Sequence, residues 1–337
     1  MNRAPNHPIL KLLIVLHHRF DLWNAPTWFV ERLRRDFPQI DIVHFADYAG
    51  VEEQLRDAEV AIAWSLRREQ IKAAEKLRWI HSPAAAVHQL MFPELVNSGI
   101  ILTNAREVHG PVVAEHVIAL ALALAKLLPE AVRLQQKRTW GQQIMWGSSP
   151  HPREIDGATL GLVGIGSIGR EVAKRAAALG MRVIAVRENP DKPKPDGVEL
   201  VYPPAQIDDL LSQSDYVVLA APITPQTRGL MNADRFSKMK SDACLINVGR
   251  GPLIDERALI DALEQKKIGG AALDVFEPEP LPPESPLWNV RNLLITPHTA
   301  GLTDKLWERH YAQISDNLRR YMAHQPLLGL VDKSRGY

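Results

Sequence analysis

Residues 158–170 read ATLGLVGIGSIGR, and this stretch decides the fold that we expect. The apolar run 158–163 predicts a buried parallel strand, and the alanine-rich run 170–179 predicts a helix. Three glycines stand between them at the spacing G-x-G-x-x-G. In such a turn the first glycine allows a tight bend, the second lets the backbone approach a pyrophosphate, and the third lets the helix pack closely on the strand.

The helix N-terminus supports the same interpretation, because its N–H groups and partial positive charge attract phosphates. A second apolar run at 181–186 completes a strand-helix-strand unit. A merely structural glycine turn is the alternative, but the strand and helix around the glycines favour dinucleotide binding. The residues predicted to contact the dinucleotide here are Gly164, Gly166, Ser167, Ile168 and Gly169.

The composition is that of a globular protein, and the length suggests two domains. The chain has 337 residues, of which 46% are hydrophobic, so it can bury large cores. Its formal net charge is +1, which argues against nucleic acid or an acidic membrane surface as the main partner, because such binding usually shows as a basic excess. Cys244 is the one cysteine and cannot form an internal disulfide, so we expect a reducing compartment.

The longest apolar segment, residues 112–128, is short for a bilayer crossing and contains Glu115, His116 and Lys126. We predict a buried helix that Pro111 starts at its first turn. The N-terminal residues lack the continuous apolar core and the small-residue cleavage site of a secretory signal. We therefore expect a cytoplasmic protein without a membrane partner.

Two series of apolar runs alternate with helix-like segments, as in parallel α/β sheets. The runs of the first series are 10–16, 40–45, 60–64, 77–81 and 100–103. The runs of the second series are 158–163, 181–186, 198–201, 216–220, 243–248, 270–275 and 293–296. A last amphipathic segment, 305–322, follows the second series, and we expect it to return to the first domain.

We therefore predict an α/β protein with two doubly wound parallel-sheet domains. A Rossmann dinucleotide-binding domain of residues 108–298 is inserted in a discontinuous, flavodoxin-like substrate domain of residues 1–107 and 299–337.

Arg250, Glu279 and His298 follow the last three strands of the second series. Ligands of open α/β sheets bind outside the carboxyl ends of the strands, so these side chains are expected to share a cleft. An arginine fork can hold a carboxylate through two parallel hydrogen bonds, and a histidine can exchange a proton near neutral pH. A nearby glutamate would accept the imidazole N–H and favour its charged form. With a dinucleotide in the same cleft, these groups predict reversible hydride transfer to a 2-oxo acid. Taken singly, Arg250 could cap or pair on the surface, and Glu279 could be a solvated loop residue.

The motifs stand in the order G-x-G-x-x-G, NVGRG at 247–251, DVFEPEP at 274–280 and PH at 297–298. From about residue 77 to the C-terminus, the chain resembles the D-isomer-specific 2-hydroxyacid dehydrogenases, which include glyoxylate/hydroxypyruvate reductases and phosphoglycerate dehydrogenases. The resemblance implies Arg250 as the substrate clamp, His298 as the acid and base, and Glu279 as its partner. It implies further that Asp274 meets the nicotinamide end of the cofactor, that Pro222, Thr227 and Val248 line the cofactor groove, and that the backbone N–H groups of Ala85 and Ala86 meet the substrate carboxylate. Asp274 could also be a strand-end turn former.

Some positions depart from the family pattern. Where NAD-dependent members usually carry an acidic residue, at the end of the second Rossmann strand, this chain has Arg187 followed by Glu188. Because an arginine suits a 2′-phosphate, we favour NADP over NAD, although a shift by one residue would let Glu188 bond the ribose. Ala84 and Ala86 stand where the family often has glycine, so we expect a differently shaped carboxylate loop.

Other assignments stay open. The segment 133–152, with Trp140 and Trp146, shows no clear periodicity, and we predict a linker or subunit-contact arm, with a substrate lid as the alternative. The resemblance implies a homodimer acting on glyoxylate, hydroxypyruvate or a similar small 2-oxo acid. A nucleotide-sensing, co-repressor-like binding protein on the same fold is the rival. A formate dehydrogenase is a distant alternative, and it would be expected to show glutamine in place of Glu279.

We predict no metal site, because no H-E-x-x-H or C-x-x-C spacing occurs. Among the remaining histidines, three are expected to pack or to form hydrogen bonds rather than to act as ligands: His81, His109 and His116.

Overall fold

The structure, a computed structural model, describes residues 10–336 and shows two compact units. The first unit extends to Val108 and resumes at Thr303, and the second spans His109–Leu302, beyond the predicted boundary at residue 298. Residues 1–9 and Tyr337 belong to the predicted substrate domain, and the expectation of no secretory signal concerns the first nine. They lie outside the described residues. The substrate and cofactor roles of the two units stay predictions.

A five-stranded parallel sheet forms the centre of the first unit. Its strands are β1 (Leu10–Val15), β2 (Ile40–Phe45), β3 (Val60–Ala63), β4 (Trp79–Ser82) and β5 (Ile101–Asn104). They lie in the order β2-β1-β3-β4-β5 with every pair parallel, which is the predicted flavodoxin-like arrangement.

A seven-stranded parallel sheet forms the centre of the second unit. Its strands are β6 (Thr159–Val163), β7 (Arg182–Val186), β8 (Leu200–Tyr202), β9 (Tyr216–Leu219), β10 (Cys244–Asn247), β11 (Gly270–Leu273) and β12 (Leu293–Ile295). Their order is β12-β11-β10-β9-β6-β7-β8. The chain moves outward from β6 to β8, crosses back to β9 and continues to β12, so the strand order reverses between β6 and β9. This is the predicted Rossmann arrangement.

Helices connect the strands in both units. In chain order they are α1 (Thr27–Asp36), α2 (Val51–Leu55), α3 (Arg68–Ala73), α4 (Pro93–Val96), α5 (Arg106–Ala125), α6 (Leu128–Gln136), α7 (Gln142–Trp146), α8 (Ser167–Ala178), α9 (Ile207–Gln213), α10 (Ala233–Lys238), α11 (Glu256–Glu264) and α12 (Leu306–Met322). As expected, α12 returns to the first unit.

The strands are apolar throughout because both faces of each sheet are covered. In β1, Leu12 and Ile14 pack in one core cluster with residues of α1 and α12, whereas Leu13 and Val15 pack in another with residues of α2. Successive side chains of a strand point to opposite faces, so a strand buried on both faces needs a continuous apolar run.

Three predicted elements differ from the structure. The helix predicted at 170–179 begins earlier, at Ser167. Pro111 does not start its helix but lies inside α5, where it lacks the N–H that would bond the preceding turn. The arm at 133–152 is not irregular, because it contains the end of α6 and all of α7. Its many polar residues hide the short amphipathic pattern of these helices.

Among residues 10–336, α5 is the one helix that is long and apolar enough to cross a membrane by length and composition. Half of its most apolar window is buried, and Val117, Leu120 and Ala121 belong to a core cluster of the second unit. The core helix of a globular protein passes the same test, so this helix is explained by its packing.

Candidate active site

The sheet of the second unit places the predicted site residues along one edge. Because its strands are parallel, the loops after them open at the same edge, and neighbouring strands lie about 4.8 Å apart. From one side to the other the loops carry His298 after β12, Asp274 after β11, Arg250 after β10, Pro222 after β9, the glycine turn after β6 and Arg187 after β7. The glycine turn therefore lies where the strand order reverses, which is the usual ligand position in such sheets.

The glycine turn has a geometry that fits a dinucleotide phosphate. Gly164 adopts a φ of 101°, and a Cβ there would lie 2.9 Å from the carbonyl oxygen of Ala220. A Cβ at Gly169 would lie 2.2 Å from the carbonyl oxygen of Gly164, so α8 can pack this closely only on a glycine. A Cβ at Gly166 would meet nothing within 4 Å, which leaves open space beside the backbone at the N-terminus of α8.

The other predicted cofactor residues lie in loops beside this turn. The hydroxyl of Thr227 donates to the carbonyl oxygen of Pro222 at 2.8 Å and accepts from the backbone N–H of Thr224 at 2.7 Å, so it shapes the loop after β9. Val248 directly follows β10, and its side chain is buried in a core cluster of the second unit. Their contacts with a cofactor stay predictions.

Arg187 follows β7 on the other side of the glycine turn. Its guanidinium donates to the carbonyl oxygens of Pro190 and Pro193, at 3.3 Å each, and to that of Lys192. The loop 190–193 thus holds the positive charge in place without neutralising it, since backbone carbonyls carry no net charge.

Asn247 shapes the loop that presents Arg250. Its side-chain oxygen accepts the backbone N–H of Gly249 at 3.0 Å, and its amide donates to the carbonyl oxygen of Arg250 at 2.9 Å. Burial lowers the pKa of Arg250, and Glu279 acts in the opposite direction. A guanidinium starts from so high a value that it remains charged.

The loop after β11 lies directly against the NVGRG loop. A Cβ at Gly251 would lie 2.2 Å from the carbonyl carbon of Phe276, so no side chain fits there. Glu279 lies at the end of this second loop, and its Oε1 accepts the backbone N–H of Phe276 at 2.8 Å. This bond turns the carboxylate back toward the sheet edge.

His298 and Glu279 are in direct contact. Nδ1 of His298 lies 2.6 Å from Oε2 of Glu279, and no side chain separates them. Because a carboxylate only accepts, Nδ1 carries the proton of this bond, and Nε2 is left as the atom that can exchange a proton. The His298 side chain is 55% exposed, so a ligand can reach it.

Asp274 stabilises the loop around His298 through hydrogen bonds to residues on both sides of it. Its buried carboxylate accepts the hydroxyl of Thr296 at 2.6 Å and the backbone N–H groups of Thr299 and Ala300 at 2.8 and 3.0 Å. Its carbonyl oxygen accepts the backbone N–H of His298 at 3.0 Å. The predicted contact of Asp274 with a nicotinamide stays a prediction.

In the first unit, Ala84, Ala85 and Ala86 lie in the loop that follows β4. None of its alanines has a positive φ, so Ala84 and Ala86 impose no backbone strain. Ala84 and Ala85 use their carbonyl oxygens, which accept from the backbone N–H of Ala105 and the side chain of Asn104. Within the described residues the backbone N–H groups of Ala85 and Ala86 have no hydrogen-bond partner, so both can donate to a ligand.

Reasoning from the sequence did not identify Asn247, Thr296 or His116 as site residues. Asn247 could have been found, because an asparagine before a glycine commonly closes a turn through its own side chain. His116 was expected to pack or to form a hydrogen bond, and it does form one, to Thr296 at 3.1 Å. The two residues are 180 positions apart, so no local pattern could connect them.

Comparison with known proteins agrees with this geometry. The family described as D-isomer specific 2-hydroxyacid dehydrogenase, NAD binding domain, matches residues 118–300. A glyoxylate reductase from Korarchaeum cryptofilum is 33% identical over 277 residues, which cover 79% of this chain and 80% of that protein. A D-3-phosphoglycerate dehydrogenase from Methanocaldococcus jannaschii is 35% identical over 277 residues and 80% of this chain. The match covers 51% of that enzyme, so the chain spans about half its length.

One solved structure is similar to this chain over nearly its whole length. It is a D-isomer specific 2-hydroxyacid dehydrogenase from Xanthobacter autotrophicus Py2 in complex with NADPH and MES, with a TM-score of 0.80 and 30% identity. The similarity covers 97% of this chain and 99% of the other. With its glycine turn, its paired histidine and glutamate and these matches, the chain belongs to the D-isomer specific 2-hydroxyacid dehydrogenase family.

Proposed function

We propose that this protein is an NAD(P)-dependent oxidoreductase that interconverts a small 2-oxo acid, of the glyoxylate or hydroxypyruvate type, and the corresponding D-2-hydroxy acid. The observation that carries the proposal is the 2.6 Å contact between His298 and Glu279 on the sheet edge that also bears the glycine turn. A proton donor and a dinucleotide site on one edge are what this chemistry requires.

Each residue has a distinct role in this proposal. The glycine turn and the N-terminus of α8 hold the pyrophosphate of the cofactor, which supplies or accepts the hydride when it is bound. Arg250 binds the substrate carboxylate or polarises its carbonyl group, because its guanidinium is charged and the residue lies at the same edge of the sheet. In the direction of reduction, His298 donates the proton on Nε2 to the oxygen of the substrate, and in the reverse direction Nε2 takes it back.

Glu279 orients His298 and stabilises its protonated form, since its carboxylate accepts the Nδ1 proton. The backbone N–H groups of Ala85 and Ala86 are proposed to bind the substrate carboxylate. Their lack of partners among the described residues and their position after β4 support this role.

A panel of substrates tests the proposed function. The purified protein is mixed with NADH or NADPH and with glyoxylate, hydroxypyruvate, pyruvate or phenylpyruvate, and oxidation of the cofactor is followed by absorbance. We expect turnover with glyoxylate and hydroxypyruvate. Cofactor binding without oxidation across the panel would contradict the proposal and favour a nucleotide-sensing binding protein.

We propose further that NADPH is preferred over NADH. Arg187 carries a positive charge at the end of β7, held by three backbone carbonyls, where a 2′-phosphate can pair with it. Comparison of kcat/KM for the two cofactors tests this, and we expect Arg187→Ser to reduce the value for NADPH about tenfold while that for NADH changes little. Arg182→Ser, at the other end of the same strand, is the matched control. A wild-type preference for NADH would contradict the proposal and assign the ribose to Glu188.

The segment 133–152 is proposed to form the contact in a homodimer. Trp140 is 92% exposed, and Ile144 and Trp146 are also exposed, which is unusual for large apolar side chains. Analytical ultracentrifugation is expected to show a dimer, and Trp140→Glu is expected to weaken it. A wild-type monomer would contradict this and leave the substrate lid as the explanation. The cytoplasmic location stays a prediction.

A further inference from the structure

A histidine outside the catalytic pair lies against the loop that carries His298. His116 projects from α5, and its side chain is only 20% exposed. Its Nε2 lies 3.1 Å from the hydroxyl oxygen of Thr296 and 3.6 Å from Oδ1 of Asp274. The proposed mechanism gives this half-buried ring no role.

The direction of each hydrogen bond in this group can be worked out. The hydroxyl of Thr296 lies 2.6 Å from Oδ1 of Asp274, and a carboxylate can only accept, so the hydroxyl proton points to Asp274. The hydroxyl oxygen must therefore accept from His116, which places a proton on Nε2 of the imidazole. Burial lowers the pKa of His116, while the carboxylate of Asp274 acts in the opposite direction. The ring is therefore neutral at neutral pH and carries its one proton on Nε2.

This chain of bonds ends on the catalytic loop. The carboxylate of Asp274, which accepts the hydrogen bond from Thr296, also accepts the backbone N–H groups of Thr299 and Ala300, which follow His298 in the chain. His298 has a φ of 53°, in the left-handed region, which costs a residue other than glycine about 1–2 kcal/mol. The surrounding bonds must hold it there, and those of Asp274 lie on both sides of it.

We propose that His116 is a positioning residue, which donates from Nε2 to Thr296 and thereby holds the 296–300 loop in the conformation that brings His298 to Glu279. The role rests on the proposed function, since it concerns the proton donor of that reaction. It requires a proton on Nε2, because a ring protonated only on Nδ1 would set two acceptors against each other.

A pure packing role is the rival explanation, and it makes a different prediction. If the ring only fills space, His116→Leu should preserve function, and His116→Gln should be the more harmful change because it buries a polar amide. If the Nε2 proton matters, the order is reversed, since the amide of glutamine can still donate to Thr296. Thr296→Val, which has nearly the same volume, and Thr296→Ser, which keeps the hydroxyl and loses a methyl group, make the same comparison at the other end of the bond.

Steady-state kinetics with the best 2-oxo acid form the first part of the experiment. We expect His116→Leu to lower kcat about fivefold to tenfold, as for one lost hydrogen bond, while the KM for the cofactor is retained. Thr296→Val should lower kcat at least as much, because it also removes the bond to Asp274. His116→Gln and Thr296→Ser should recover most of this loss. The double variant should be no worse than Thr296→Val alone, because that substitution already removes the bond that His116 makes. Glu115→Gln, the neighbouring and largely exposed position on α5, is the control and should be unchanged.

Spectroscopy of the protein without cofactor or substrate forms the second part. In protein labelled with ¹⁵N-histidine, correlations through the carbon-bound ring protons report which nitrogen of each ring is protonated. We expect His116 to show a proton on Nε2 alone. In Thr296→Val, a variant with little effect on packing, the ring signals of His298 should move as its contact with Glu279 is disturbed.

The two parts separate the possible failures. If the wild type turns over no 2-oxo acid, the proposed function fails, and the ring signals still test the positioning role. An Nε2 of His116 without a proton, unchanged His298 signals in Thr296→Val, or full kcat in His116→Leu would each overturn the inference.

Discussion

Replacement of Glu279 by glutamine tests the catalytic pair most directly. Oε1 of Glu279 accepts the backbone N–H of Phe276 at 2.8 Å, and Oε2 accepts Nδ1–H of His298 at 2.6 Å. Glutamine has one oxygen, so only one of these donors can keep its acceptor. If the oxygen stays with Phe276, the amide NH₂ faces Nδ1, which must then give up its proton and accept.

This substitution disfavours the reactive forms of His298 in both directions. The doubly protonated ring, which reduction needs, would place one N–H group against another. The neutral ring with a free Nε2, which oxidation needs, would do the same. A hydrogen bond to a charged group contributes about 1.5–3 kcal/mol. Because the two side chains are 55% and 35% exposed, solvent screening reduces this to about 1–2 kcal/mol. The expected loss of kcat is about 5- to 30-fold.

The assay is oxidation of the preferred reduced cofactor with glyoxylate, together with a fluorescence titration of cofactor binding. We expect kcat for Glu279→Gln to fall by that factor and the dissociation constant of the cofactor to stay within about twofold of the wild type. Glu277→Gln is the matched control, because Glu277 lies on the same loop and pairs with Arg228 rather than with His298. A kcat equal to that of the wild type would refute the catalytic role of the pair, and an equal loss in the control would show that the loop as a whole was disturbed.

Three further predictions follow from individual contacts. His298→Ala should lower kcat about a hundred- to ten-thousand-fold with cofactor binding retained, and near-normal turnover would remove His298 from the mechanism. Gly251→Ala should lower the free energy of unfolding by about 1–3 kcal/mol and reduce kcat/KM, since its Cβ would overlap Phe276, whereas Gly99→Ala, which meets nothing within 4 Å, should do neither. Burial lowers the pKa of His81 to about 3, so the unfolded chain takes up a proton below its ordinary value near 6.5 and the folded chain does not. The free energy of unfolding should therefore decrease as the pH is lowered below about 6.5. Between neutral pH and pH 5, denaturation experiments should show a decrease for the wild type that is about 2 kcal/mol greater than for His81→Gln. An equal pH dependence of the two proteins would contradict this.

The sequence was sufficient to predict both sheets, because strands buried on two faces require continuous apolar runs that are visible without coordinates. The spacing of Gly164, Gly166 and Gly169 was equally informative, because a strand and a helix predicted on either side of that spacing are typical of a dinucleotide-binding turn. Boundaries were less predictable. The start of α8 at Ser167 and the position of Pro111 inside α5 depend on packing that propensities do not contain.

The order of the motifs along the chain was enough to identify the family and to name Arg250, Glu279 and His298 as candidates. It could not show that His298 and Glu279 touch, because that contact depends on the path of the loop after β11. That path is set by the close approach of Phe276 to Gly251 and by the bond that Glu279 makes to the backbone of Phe276.

The sequence by itself thus determined the strands and the glycine turn and named the candidate side chains for the proposed chemistry, because these follow from local periodicity and residue type. Only the tertiary structure decided which of them meet and which atom of each carries a proton. His116 and Thr296 are 180 positions apart, yet their contact determines a tautomer. Hydrogen bonds reach about 3 Å, so their partners are known only once the sheet has brought distant strands together.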